Sequence, residues 1–486
     1  MDKKLPQRES ARSGSMWIGG GYVLGQILRL AVNVALAAIL FEEAFALMAI
    51  VSAVMQGLAM FSDVGLRPSV IRSERGDEPD FLNTVWTFQV IRGILLTLMA
   101  ALLAWPLTVI YAANDPMAYQ LMWLIPLVGL TAFIDGLQSS RIMTAARYMQ
   151  LKRVTAIEFI TQLVNAIIII SLAWYMRSVY ALAIAGVLSC CLRTALTYFL
   201  LDGIRNRLFI EPAAARTIFS FGKWIFVSTV LTFLAIQLDR LVFAGLYSLA
   251  EVGVYSIAAG LAMMVGILIG ALQGSVVFPW YSRMMEEGMS LADAFKQARA
   301  PVILICTYMT ALLVVCAQSF FEVAYDDRYI RAATYLQILS VGAWFACLDT
   351  MYGAAFLAAG RSKWAAIASA TKVLVFLLLL VPLVLFGWGL VAAAVMVAVS
   401  ELARAAMGQY LGWQMGLRNV RHDLGMLGIL AVASLAGLFL GSSVPLIADL
   451  HPAVRLVVLG AFVTLLFAPF LIRVALPLLR SRVAPS

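Results

Sequence analysis

The sequence carries little charge. Only 13% of its 486 residues are Asp, Glu, Lys or Arg, about half the share of a typical soluble domain. Hydrophobic residues make up 63%, and the mean hydropathy is +0.93. No polar stretch is long enough for a folded soluble module, which excludes a catalytic or receptor domain outside a membrane. Histidine is nearly absent, with His422 and His451 the two present. The five cysteines, at 190, 191, 306, 316 and 347, lie in apolar runs without metal-ligand spacing. They read as small hydrophobes, so neither a zinc site nor a disulfide framework is expected, and no cofactor. A GxxxxGK[ST] loop is also missing, which leaves ion or substrate gradients to drive any transport.

What the sequence has is apolar runs of membrane length. At roughly 20 residues per crossing, fourteen are expected, the first over 16–40, the seventh over 224–246, the ninth over 301–321 and the last over 453–473, with a short interfacial helix in the connection 283–300. The first is too long for the apolar region of a cleaved signal and reads as a span. Positive charge decides the orientation. With a cytoplasmic N-terminus, the tails and inner connections hold 25 lysines and arginines, and the outer connections hold three, Arg177, Arg328 and Arg331. That asymmetry accounts for most of the +9 net charge, so nucleic acid is not needed to explain it.

The chain also resembles itself. IDGLQSSRIMTAAR (134–147) aligns with LDTMYGAAFLAAGR (348–361) at an offset of 214, placing Asp135 on Asp349 and Arg147 on Arg361. Helices 1 to 6 then repeat as helices 7 to 12, both sets entering from the cytoplasm. The expected architecture is an all-α integral membrane protein of fourteen transmembrane helices. Two six-helix lobes, related by a pseudo-two-fold axis along the membrane normal, are followed by two extra C-terminal helices. The divisions fall at 1–201 (N-lobe), 202–223 (cytoplasmic linker), 224–412 (C-lobe) and 413–486 (final pair and cytoplasmic tail). Parallel repeats around a central cleft suit a carrier that works by alternating access.

Three stretches carry a family likeness: FSDVGLRPSVIRS (61–73), FLNTVWTFQVIRG (81–93) and LDRLVFAGLYSLAEVGVYSIAAGL (238–261). With the helix count and the terminal pair, the chain resembles the Wzx-type oligosaccharide flippases of the polysaccharide transport family. Their superfamily also holds multidrug and toxin extruders and lipid II flippases. The resemblance implies transfer of an undecaprenyl-diphosphate-linked sugar repeat from the cytoplasmic to the periplasmic leaflet of a bacterial inner membrane, and no enzymatic activity. It further implies a polyprenyl groove at the last two helices, polysaccharide polymerase or export proteins as partners, and H+ or Na+ as candidate coupling ions.

Charges at membrane depth cost several kcal/mol and mark a wet pathway. Gln26, Arg29 and Asn33 share one face of the first helix. Arg92, one turn after Gln89, lies at similar depth, and Lys372 somewhat nearer the cytoplasm. Guanidinium binds phosphate oxygens in bidentate fashion, so Arg29, Arg92 and Lys372 are expected ligands of the diphosphate, with Arg193 and Arg240 nearer the ends of the cleft. Asp63, Asp135, Glu158, Asp239 and Asp349 are expected in gating or ion coupling. Glu158 aligns with Lys372 at the 214 offset, which suggests a cytoplasmic gate. Glu401 and Arg404, three apart, are expected to neutralise each other. The alternatives are a multidrug exporter of the same fold and a membrane-embedded glycan polymerase or ligase. The first would want an acidic, aromatic cavity, and the second a larger outer loop than the one of about 11 residues at 322–332.

The orientation is testable by labelling. Single cysteines at Glu43, Asn114 and Asp449 should react with an impermeant thiol reagent from the periplasmic side, and one at Gln297 should not; the opposite pattern overturns the topology.

Overall fold

The computed structural model describes residues 8–62, 66–73, 75–148, 151–212, 214, 225–277, 280–281, 283–284 and 287–483. They form helices α1 (Arg8–Ile39), α2 (Glu42–Phe61), α3 (Leu66–Arg72), α4 (Pro79–Ala112), α5 (Leu121–Gly136), α6 (Arg141–Arg147), α7 (Leu151–Met176), α8 (Tyr180–Leu200) and α9 (Ile225–Ala244). They continue with α10 (Leu249–Leu272), α11 (Leu291–Ala324), α12 (Ala332–Ala358), α13 (Ser362–Leu385), α14 (Leu390–Gln414), α15 (Val420–Ser443), α16 (Pro445–Ala448) and α17 (Pro452–Val483). Among the described residues, twelve helices are long and apolar enough to cross a membrane. The other two expected spans fall on α1, whose apolar part is Leu24–Ile39, and on α9.

The chain divides into two compact units. Unit 1 comprises 1–233 and 240–253, and unit 2 comprises 234–239 and 254–486. In unit 1 the closest helix pair is α4 with α5, and glycine makes it possible. A Cβ on Gly93 would lie 2.6 Å from the carbonyl oxygen of Ala132, and one on Gly136 would lie 3.0 Å from that of Gln89. Small residues let helix backbones approach in this way where lipid offers no hydrophobic drive for association. The approach has a functional consequence, because it sets Gln89 and Arg92 of α4 against the end of α5 that carries Asp135.

The segment after α8 is extended and lies along the N-terminal turns of α4. Its backbone amides at Arg207, Phe209 and Glu211 donate to Asn83 Oδ1, Thr87 Oγ1 and Thr84 Oγ1 at 3.0, 2.9 and 2.9 Å. Arg75 adds an ion pair to Glu211 at 2.9 Å. Side chains of α4 thus satisfy main-chain groups that no ladder or helix would satisfy.

Unit 2 is built around α12, α14 and α11, with Trp344, Tyr352, Phe356 and Phe295 in its core. The sequence suggested a short interfacial helix over 283–300 and a separate span beginning at 301. Instead α11 is one helix that runs through Pro301, capped by Ser290, whose Oγ accepts from the Asp293 amide at 3.2 Å. Its third turn is anchored from outside: Arg299 and Asp423 form a two-pronged ion pair with side chains only 2% and 4% exposed. Gln409 Nε2 donates to the same carboxylate at 2.5 Å, and Tyr352 lies under the guanidinium at 5.1 Å. Arg299 belongs to α11, Asp423 to α15 and Gln409 to α14, so one buried carboxylate joins three helices.

Breaking a buried pair leaves one charge uncompensated, at a cost of roughly 3–5 kcal/mol. Asp423→Ala should therefore lower the melting temperature of the detergent-purified protein markedly. Arg299→Met combined with Asp423→Leu should recover most of the loss; no recovery in the double variant would mean that the pair is not a self-contained unit.

Candidate functional site

The charged residues at membrane depth fall into two different arrangements, one in each unit. In unit 1 a cavity of about 540 Å³ is lined by Gln56, Gln89, Arg92, Asp135, Gln138 and Arg193 among others. That volume is within the range of small-ligand sites. Four residues singled out from the sequence, Gln89, Arg92, Asp135 and Arg193, are thus brought together from α4, α5 and α8.

The local hydrogen bonds explain how the wall holds its shape. Gln89 Nε2 donates to the carbonyls of Asp135, Gly136 and Gln138 at 2.8, 3.3 and 3.3 Å, so one amide satisfies the carbonyls that α5 leaves open at its end. Gln89 Oε1 and Gln138 Nε2 are buried and unpartnered. Arg92 Nε donates to Ser62 Oγ at 2.8 Å and its Nη2 to the Ala59 carbonyl at 2.6 Å, which holds the guanidinium against α2. Cys190 Sγ, on α8, donates to Asp135 Oδ1 at 3.2 Å. Arg193, one turn further along α8, is half-buried and makes no hydrogen bond or ion pair among the described residues.

A second polar strip in unit 1 runs between α1 and α7. Gln162 of α7 packs on Gly25, where a Cβ would lie 2.6 Å from its Oε1. Asn165 Oδ1 is buried without a hydrogen-bond partner among the described residues, and Gln26 is half-buried. Asn33 is half-buried on the same α1 face. Arg29 and Glu158 are exposed and have no hydrogen bond or ion pair among the described residues. Asp63 lies outside the described residues.

Unit 2 has the opposite arrangement. Lys372 of α13 pairs with Glu401 of α14 at 2.5 Å and also donates to the Ala235 carbonyl. Arg404 pairs with Asp349 of α12 at 2.7 Å and lies 3.5 Å from Glu401. Two cations and two carboxylates thus form one neutral, largely buried quartet. Gly408 leaves room for it, since a Cβ there would lie 2.6 Å from Asp349 Oδ1.

This corrects two expectations. Lys372 is not an unpaired cation: its charge is neutralised by an acid on the next helix, which spacing along one helix could not reveal, and a gate with Glu158 would have to displace Glu401. The Glu401–Arg404 pair exists, but each partner has a shorter contact elsewhere. Asp239 accepts from Tyr255 Oη at 2.6 Å, and Arg240 is half-buried and has partners of its own. Sequence reasoning missed Gln56 and Gln138 in the cavity wall. An amide in the middle of apolar α2 was the available signal for the first.

These helices and a polar cavity enclosed among them define a multi-pass membrane transporter. A lipid II flippase MurJ in an inward closed conformation superposes with a TM-score of 0.70 at 11% identity, covering 94% of this chain and 99% of that one. An inward-facing multidrug resistance transporter of the MATE family gives 0.64 at 14% identity, covering 82% and 96%. A Shigella flexneri protein named as an O-antigen transporter is 24% identical over 197 residues, 40% of this chain. The match spans about half the length of that relative, 46%. The model of the polysaccharide biosynthesis protein family matches residues 35–334. The chain belongs to that family.

The two arrangements should respond differently to loss of a cation. Lys372→Ala should destabilise purified protein by roughly 3–5 kcal/mol and be largely repaired by adding Glu401→Gln, whereas Arg193→Ala should leave the thermal transition near that of the parent. Equal destabilisation by both changes would mean that Arg193 has a structural partner.

Proposed function

We propose that the chain moves an undecaprenyl-diphosphate-linked oligosaccharide repeat from the cytoplasmic to the periplasmic leaflet of a bacterial inner membrane. Both termini face the cytoplasm, and the movement proceeds by alternating access for capsule, exopolysaccharide or O-antigen assembly. The observation that carries this reading is the unit 1 cavity, where Arg92 and Arg193 share a polar chamber with amide side chains. Guanidinium groups suit phosphate and carboxylate oxygens, and amides suit sugar hydroxyls. A carrier for organic cations would need the opposite sign. Arg29, exposed on α1, is a third cation for the same anionic load. Because the sequence lacks a nucleotide-binding loop, coupling to H+ or Na+ or to the substrate gradient supplies the energy. Polymerase and export proteins are the partners this role requires.

The test is genetic and chemical. A strain lacking the protein should accumulate undecaprenyl-diphosphate-linked repeats and lose the corresponding surface polysaccharide. Expression of the intact chain should restore it, and Arg92→Ala or Arg193→Ala should not. Normal polysaccharide in the deletion strain, with heightened sensitivity to cationic dyes, would favour drug export instead.

A further inference from the structure

Each unit holds an acid and an arginine on two packed helices, in different states. Asp135 aligns with Asp349 at an offset of 214 residues, and Arg193 stands to Arg404 at an offset of 211. In unit 2 the acid on α12 and the arginine on α14 are closed on each other at 2.7 Å and shielded from solvent. In unit 1 the acid on α5 and the arginine on α8 line an open cavity and form no ion pair.

Three details of unit 1 make closure mechanically simple. The backbone at Asp135 is fixed by the amide of Gln89. Cys190 already touches Asp135 Oδ1 at 3.2 Å, and Arg193 is three residues further on the same face of α8. The arginine and the carboxylate line the same cavity.

We propose that Arg193 is a two-position cation. With the cavity filled it holds an oxyanion of the ligand, a phosphate or a sugar carboxylate; with the cavity empty it turns onto Asp135 and forms the pair that Arg404 and Asp349 form in unit 2. Asp135 is then a competitor of the ligand and not one of its contacts. The consequence is an exchange of one anion for another at a single guanidinium, so the empty carrier never closes around an uncompensated charge, which membrane depth makes costly. This deepens the flippase reading and rests on it for the identity of the ligand.

The experiment is calorimetric titration of the full-length protein in lipid nanodiscs with inorganic diphosphate, glucuronic acid and, as a neutral control, glucose. It compares the parent with Asp135→Asn, Arg193→Ala and Asp349→Asn. Removal of a competitor must tighten binding, so Asp135→Asn should raise the affinity for the bound anion by roughly tenfold, within the usual range of coupling between two ligands of one protein. Flipping should be slower in the same variant, because the empty state lacks its counter-ion. Arg193→Ala should abolish anion binding, and Asp349→Asn should not tighten it. A response to diphosphate assigns the site to the lipid linkage, and one to glucuronic acid assigns it to the sugar chain. Unchanged or weaker anion binding in Asp135→Asn overturns the proposal, as does failure of the parent to bind either anion. Normal surface polysaccharide in the deletion strain would sink the flippase reading and leave these affinities as they are.

Discussion

Everything in this structure answers to one constraint: a charge inside an apolar helical bundle must be neutralised by another charge or kept wet. Unit 2 takes the first course. Lys372, Glu401, Arg404 and Asp349 cancel, and Arg299 with Asp423 cancels again at the end of α11 and α15. With the charges balanced, the packing can be dense, and the aromatic core around Trp344 and Tyr352 is continuous with the helices that carry the ions. Unit 1 takes the second course. Arg193 has no described partner, and the cost of that is relieved by an open chamber lined with amides.

The chamber exists because of backbone geometry as much as side-chain chemistry. Gly93 and Gly136 bring α4 and α5 within contact distance of their main chains, so Gln89 can reach three carbonyls across the gap and fix the end of α5. A larger residue at either glycine would separate the helices and remove the platform on which Asp135 stands. The linker contributes on the other flank. Asn83, Thr84 and Thr87 hold residues 207–211 along the first turns of α4, so the chain leaving unit 1 is fastened to the helix that supplies Arg92.

The apolar runs, their number of residues and the positive charge asymmetry made the helical membrane class legible in the sequence, because each depends on local composition. Four of the polar residues singled out by position, Gln89, Arg92, Asp135 and Arg193, do line one cavity. The direction in which each side chain points was not. Lys372 and Glu401 are 29 residues apart on different helices, and nothing in a single sequence says that α13 and α14 turn those faces toward each other. The three-residue spacing of Glu401 and Arg404 revealed one edge of the quartet but not the two shorter edges that dominate it. Pro301 misled in the other direction. Read as a boundary, it sits within an unbroken helix whose preceding turn is clamped by Arg299.

The asymmetry of the two units follows from how an anionic load must meet its cation. If both copies of the acid–arginine pair were sealed away from solvent, loading an anion would require breaking a dry ion pair; in unit 1 the acid and the arginine line the cavity, where an incoming anion can displace the carboxylate. If both were open, two unpaired cations would have to be hydrated in one bundle, at the expense of packing in each half. One closed and one open copy avoids both difficulties: the closed pair stabilises its own helices, while the open pair keeps a cation available in a cavity that an acid also lines. The residues around each pair decide which is kept dry. In unit 2 the additional pair Lys372–Glu401 locks Arg404 from a second side; in unit 1 the aligned position is the exposed Glu158 on α7, and Arg193 remains without such a lock.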